Sequence, residues 1–243
     1  MPSPVERFTT RSGIRIRYLD NAPDQAIGLP ILFSPGFTDF ADEYLEVLAA
    51  LAPQRVLVVE VRGRGGSETP SHGYAAADHA ADLRAVLDEE DIERFHLMTF
   101  SRGTTWALDL LLADADRVAT LAVGDYWARE KALGAAMAEQ VLQGTFRGTP
   151  MAQRVLPHVI REVFASSVER DLFAAVAATR VPVLVATGTE PGCLLDDAAV
   201  LEWRDRVPGV EVVTIDGASH DLFRPDRLAF PLAARDLMRR HSP

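Results

Sequence analysis

The sequence predicts an α/β protein, a mostly parallel central sheet with helices on both faces, and three observations point there. Several short segments, among them PILFSPG, RVLVVEV, FHLMTF and VPVLVATG, are apolar without polar alternation. They alternate with stretches of helical spacing such as ADEYLEVLAALA and DHAADLRAVLDEED. The 243 residues are 48% hydrophobic and 25% charged, an ordinary globular mixture long enough to bury a large core. Strands that are apolar on both faces belong to parallel sheets covered by helices on both sides.

The elements follow in order. VERFTT and IRIRYLD read as two strands around a tight turn at Ser12–Gly13, which would add antiparallel edge strands. PILFSPG is a buried strand, ADEYLEVLAALA a helix, and RVLVVEV a strand running into the glycine-rich loop RGRGGSETP. DHAADLRAVLDEED is an amphipathic helix and FHLMTF another buried strand. GTTWALDLLLADADRV is a helix, and TLAVGDY, VPVLVATG and VEVVTID are strands. Asp196 and Asp197 read as an N-cap for the helix DDAAVLEW. DRLAFPLAARDLMRR closes the chain as a helix with cations near its C-terminus, where the dipole favours them. Residues 127–180 break the rhythm with helical patterns and no convincing strand. They are expected to form a small helical cap inserted into a core made of residues 1–126 and 181–243, above the strand C-termini where α/β folds bind ligands.

Composition excludes several classes of function. A formal charge of −10 argues against a nucleic-acid or anionic-membrane surface. The single cysteine, Cys193, excludes an intramolecular disulfide and any multi-cysteine metal site. No apolar run approaches the length of a membrane span, and MPSPVERFTT lacks the hydrophobic core of a secretion signal, so a cytoplasmic protein is expected.

The chemistry concentrates in FHLMTFSRGTTWALDL, where Ser101 sits between a strand and a helix with Gly103 close behind. Such a turn strains the serine backbone, lifts its hydroxyl above the sheet and sets a helix N-terminus behind it. The motif reads Thr99-Phe100-Ser101-Arg102-Gly103, with Thr99 where a first glycine is usual. With this motif the chain resembles the α/β-hydrolase superfamily along nearly its whole length, and three others agree. ILFSPGFTDF looks like the family's oxyanion loop, with Pro35 in the usual histidine slot and Gly36 kept. VVEVRGRGGSE looks like its D-x-R-G-x-G-x-S loop, with Glu60 for the aspartate and Arg62, Gly63, Gly65 and Ser67 matched. DGASHDLFRPD looks like its final G-x-x-H motif.

The resemblance implies an α/β-hydrolase fold of the serine-nucleophile branch with a small helical cap, and roles for individual residues. Ser101 is the nucleophile. Of six histidines, only His220 follows a late strand and a turn, the place of the family's base. His72 lies in a polar loop, His79 on the polar start of a helix, His96 at a strand start, His158 in the cap and His241 in the tail. Two positions compete for the acid. Glu190 lies near the usual slot after VPVLVATG, which Pro191 occupies; Asp125 ends TLAVGD, a second family position. We favour Asp125, because the end of a rigid strand next to the nucleophile strand suits a group that must orient a histidine. The oxyanion hole would be the backbone N–H groups of Phe37 and Arg102.

Phe37, Phe100, Tyr126 and Trp127 are expected to cluster with Leu133, Met137 and Phe146 in an apolar pocket, and Arg102 and Arg129 are candidates for holding a substrate carboxylate or enolate. The leading functional reading is a cofactor-free, metal-free serine hydrolase, esterase- or lactonase-like, acting on a small hydrophobic or aromatic substrate. A cofactor-independent dioxygenase, lyase or C–C bond hydrolase using the His–acid pair for proton abstraction is the alternative, followed by a non-catalytic ligand-binding relative. A small molecule is the expected partner, and a homodimer is left open.

Overall fold

A computed structural model describes residues 4–242. Residues 1–3, the start of the segment read as lacking a secretion signal, and residue 243 lie outside it. Eight strands form one sheet: β1 (Val5–Arg11), β2 (Ile14–Asp20), β3 (Ile31–Ser34), β4 (Val56–Glu60), β5 (Phe95–Phe100), β6 (Val118–Gly124), β11 (Val183–Gly188) and β12 (Glu211–Ile215), in the spatial order β1-β2-β4-β3-β5-β6-β11-β12. The first hairpin is antiparallel and β2 joins β4 antiparallel; every later pairing is parallel. The hairpin turn falls at Ser12 and Gly13, both at positive φ. This is the mostly parallel α/β sheet expected from the alternation of apolar strands and helices, and the α/β-hydrolase fold that the motif resemblance implies.

Two hydrophobic clusters cover the two faces. On one side lie α2 (Ala76–Glu89) and α3 (Gly103–Ala113), with Leu83, Trp106 and Leu110 buried against Leu57, Leu97 and Val123. On the other lie α1 (Leu45–Leu51) and α9 (Ala229–Arg240), with Leu48, Phe230 and Leu237 against Phe33, Met98 and Ala186. Alternate residues of each strand feed opposite clusters, so β3, β4, β5 and β6 are buried at every position. The register aligns Phe100 with Gly124 and Gly124 with Ala186, which brings the C-termini of β5, β6 and β11 side by side. α8 (Asp197–Arg206) is capped by the Asp196 side chain, which accepts from the Ala199 N–H at 2.9 Å.

Between β6 and β11 the chain forms α4 (Gly134–Leu142), α5 (Met151–Arg154), α6 (Pro157–Ala165) and α7 (Phe173–Thr179). The expectation of helices without strands is corrected in two places. β7 (Arg129–Glu130) pairs antiparallel with β10 (Arg170–Asp171), and β8 (Thr145–Phe146) with β9 (Thr149–Pro150) around Arg147 and Gly148, both at positive φ. α6 is the best anchored of these helices, with Val159, Ile160, Val163 and Phe164 buried in the α2–α3 cluster. Among the described residues no helix is long and apolar enough to cross a membrane.

Candidate active site

Ser101 follows β5 and precedes α3, with φ of 51° in the left-handed region. A non-glycine residue holds such a backbone only when its surroundings impose it. Here the Ser101 N–H donates to the Gly124 carbonyl at 2.8 Å, and the Ser101 carbonyl accepts from the Thr104 N–H at 2.9 Å. Gly103 is required because any Cβ there would collide with the Pro35 carbonyl, so α3 passes directly against the end of β3. Thr99, in the slot where glycine is usual, is fully buried, and its hydroxyl bonds the Thr104 hydroxyl (2.9 Å) and the Ala122 carbonyl (3.2 Å). The larger side chain fits because its polar atom is satisfied internally.

Ser101, His220 and Asp125 come together although they lie on three separate segments. Ser101 Oγ is 2.9 Å from His220 Nε2, and His220 Nδ1 is 2.7 Å from Asp125 Oδ2. Asp125 is fully buried directly after β6, with φ of 45°. Besides the histidine, its carboxylate accepts from the backbone N–H groups of Leu194 (2.8 Å) and Leu195 (3.0 Å) and from the Thr187 hydroxyl (3.2 Å). Four donors compensate the burial of that charge and fix the plane of the carboxylate. The imidazole stacks on Phe100, 5.2 Å between ring centres. Glu190 is exposed, and its backbone N–H bonds the Ala218 carbonyl. It is not among the partners of His220.

Of the two backbone N–H groups expected to form an oxyanion hole, that of Arg102 follows Ser101 in the chain and that of Phe37 follows Gly36, which packs against Phe100 at the end of β5. Among the described residues, neither the Phe37 nor the Arg102 amide has a protein acceptor. The Phe37 loop is held by residues that sequence reasoning did not single out. Asp39 accepts from the Gly36 N–H (2.8 Å) and the Tyr44 hydroxyl (2.6 Å). Arg64 Nε donates to the Phe37 carbonyl at 3.1 Å, and Arg154 Nε to the Thr38 carbonyl at 2.9 Å. Arg147, in the turn between β8 and β9, donates two 2.8 Å hydrogen bonds to Asp221, the neighbour of His220. Burial alone would push the Asp221 carboxyl up; the Arg147 guanidinium outweighs it and leaves the group below its ordinary value. Burial pushes Asp39 up, with Arg147 acting against it. In the sequence these arginines lie in ordinary contexts, Arg64 in RGRGG, Arg147 in TFRGT and Arg154 in AQRVL, and nothing local marks the support they give.

Other expectations need correction. Phe37 and Tyr126 belong to the α2–α3 cluster, with Trp127 and Leu133 packed on it, whereas Phe100 and Phe146 belong to the opposite one. Met137 is 40% exposed, so these side chains do not form a single apolar cluster. Only Phe100 lies on a strand of the central sheet; the others come from the loops, the helix and the short β8–β9 ladder outside it. His79, expected on a polar helix start, is fully buried and stacked on Trp106 at 4.3 Å, and burial holds it well below its ordinary pKa. His96 is buried between the Thr120 and Ser242 hydroxyls, while His72, His158 and His241 are exposed. Arg129 pairs with Glu202, and Arg102 has no carboxylate partner among the described residues.

Comparison with known proteins agrees with the fold. A family model described as the alpha/beta hydrolase fold matches residues 30–157. A Variovorax paradoxus protein that carries the name of a carbamate hydrolase, RutD, is 34% identical over 110 residues, 44% of this chain and 41% of that one. The chain spans less than half the length of the curated relatives it matches. Two solved structures superpose over nearly all of it. An esterase, RhEst1, from Rhodococcus sp. ECU1013 has a TM-score of 0.80 at 21% identity, covering 99% of this chain and 100% of that one. The enol-lactonase of Burkholderia xenovorans LB400 has a TM-score of 0.79 at 21% identity, covering 96% and 100%. At that identity the superpositions speak for the fold.

Proposed function

The chain belongs to the α/β-hydrolase fold family, and on that premise we propose that it is a cofactor-free serine hydrolase cleaving an ester, lactone or related acyl bond of a small, largely apolar substrate. The observation that carries this reading is the unbroken relay from Ser101 Oγ through His220 to the buried Asp125 carboxylate, 2.9 and 2.7 Å. A serine hydroxyl is a weak nucleophile until an adjacent base takes its proton. In this reading Ser101 Oγ attacks the acyl carbon while His220 Nε2 accepts the proton. Asp125 holds the Nδ1–H tautomer and balances the imidazolium charge. The carbonyl oxygen becomes an oxyanion facing the Phe37 and Arg102 amides, each worth roughly 3 kcal/mol of transition-state stabilisation. His220 then protonates the leaving group, and a water deprotonated by the same nitrogen releases the acid. The segment 127–180 serves as a small cap, tied to the His220 loop through Arg147 and Asp221.

The test is covalent labelling. A fluorophosphonate should add once to the wild-type protein by intact mass, and Ser101→Ala and His220→Ala should both abolish the adduct. Proton-abstraction chemistry on the same scaffold does not require an activated serine, so a folded wild type that takes no adduct would remove the acyl-transfer reading.

A further inference from the structure

We propose that the substrate carries a carboxylate, bound by the buried guanidinium groups of Arg102 and Arg64 beside Ser101. The inference deepens the serine-hydrolase reading and rests on it for the position of the scissile bond. Arg102 is only 6% exposed and Arg64 only 2%. Arg102 Nε and Nη1 and Arg64 Nη2 are buried without any acceptor among the described residues. The arginines elsewhere in the interior are different. Arg62 is held by Asp82, Arg17 by Glu60 and Asp42, Arg147 by Asp221, and Arg154 by Glu43. A buried cation without a counter-charge is strongly unfavourable, and a fold that supplies partners to its other buried arginines leaves these two short of one.

Their surroundings place the gap at the reaction centre. Arg102 immediately follows Ser101, and its guanidinium lies over Phe164 at 5.5 Å. Phe164 packs on Phe37 at 5.7 Å, and the far side of this group is closed by Arg64, 4.7 Å from the Phe37 ring and 4.8 Å from Trp106. The residues that would supply both oxyanion amides therefore sit in the same cluster as both unpartnered cations. Arg64 spends its other nitrogens on the Phe37 and Arg62 carbonyls and faces His79 Nε2, none of them anionic. Burial, with Arg102 and Arg62 adding repulsion, pulls Arg64 down to about 9, which still leaves a cation at neutral pH. A planar carboxylate matches the paired N–H donors of a guanidinium, in a site where aromatic rings exclude water. Arg129, the other arginine suggested by the sequence for this task, has its carboxylate in Glu202.

The test compares p-nitrophenyl hemiglutarate with p-nitrophenyl valerate, an anionic and a neutral ester of similar length, on wild type, Arg102→Met and Arg102→Lys. The wild type should favour the hemiester in kcat/KM by about 10²-fold, the scale of the net gain from hydrogen bonds to a charged group. Arg102→Met should collapse that ratio through KM for the hemiester, and Arg102→Lys should restore part of it. The ratio is taken within each variant, so any loss common to both esters cancels. Valerate hydrolysis with no preference for the hemiester would overturn the carboxylate site and leave the serine hydrolase standing. Hydrolysis of neither ester, with no fluorophosphonate adduct, would remove the hydrolase instead. Thermal denaturation with glutarate at constant ionic strength then decides. Stabilisation of the wild type but not of Arg102→Met supports the site, and equal response of the two overturns it.

Discussion

The two flanks of Ser101 are built on opposite principles. On the sheet side, Asp125 is fully buried and has four donors, so its charge is compensated before any ligand arrives. On the side facing α6, Arg102 and Arg64 are only 6% and 2% exposed yet retain nitrogens with no acceptor among the described residues. Burial alone therefore does not distinguish a structural charge from a binding charge; completeness of the partner set does. The sheet side is preorganised to hold one histidine tautomer, and the other side is left one anion short.

The sharpest way to break this contrast is to unmake the complete side. Asp125→Asn keeps the shape but cannot hold the Nδ1–H tautomer, and should lower kcat by about 10⁴-fold. Glu190→Gln, at the competing position, should stay within about twofold of wild type, as an exposed charge outside the relay. Steady-state rates on one neutral ester check both, and comparable losses would put the acid in the wrong place.

A stability measurement separates the two kinds of buried arginine. Arg62→Met strands the buried Asp82 carboxylate, which loses both guanidinium hydrogen bonds, and should lower unfolding free energy by about 3–5 kcal/mol. Arg102→Met removes a cation with no partner and should raise it by about 1 kcal/mol in the absence of substrate. Urea unfolding of the two variants gives the signs directly. Destabilisation by both would mean that Arg102 already has a compensating partner.

How much of this was legible without coordinates follows from the same distinction. The alternation of strands and helices, the Ser12–Gly13 hairpin and the Asp196 cap are encoded by local spacing and turn chemistry, and the structure carries all three. The association of Ser101, Asp125 and His220 was accessible through the resemblance of their motifs to those of the α/β hydrolases, in which each residue ends or follows a strand. The two-residue ladders of β7–β10 and β8–β9 were not accessible, because so short a pairing has no period to read. His79 does lie at the polar start of α2, but nothing in that local pattern shows that Trp106 on the neighbouring helix encloses it. Likewise, nothing local distinguishes Arg102, without a carboxylate, from Arg129, which Glu202 satisfies.

His96 extends the contrast to the opposite end of β5. It is a complete site like that of Asp125, with Thr120 at 2.9 Å and Ser242 at 3.0 Å, and burial, aided by nearby Arg94 and His241, lowers its pKa to about 4. The unfolded chain regains an ordinary histidine pKa of about 6.5 and binds a proton that the folded state refuses. Its contribution is therefore present above that pH and lost as pH falls from about 6.5 towards 4. Going from pH 7.5 to 5 should cost the wild type about 2 kcal/mol more than His96→Gln, from urea unfolding at the two pH values. An identical pH response in the two proteins would mean that His96 titrates normally in the fold.

The smallest effect tests whether the backbone at Ser101 is strained. Ser101→Gly and Ser101→Ala both remove the hydroxyl and its bond to His220, so any difference between them reports the backbone. At an ordinary position glycine is the less stable of the two by about 0.5–1 kcal/mol, because the unfolded chain gains freedom. At φ of 51° the order should invert, with Ser101→Gly more stable by about 1 kcal/mol, since alanine keeps the Cβ that clashes in the left-handed region. The inversion would show that the turn lifting Ser101 above the sheet is maintained against local preference by the Gly124 and Thr104 hydrogen bonds and the close passage of Gly103. The usual order, with alanine ahead, would mean that the left-handed turn relaxes once the hydroxyl is gone, and that the Ser101–His220 contact, not the surrounding backbone, holds it in place.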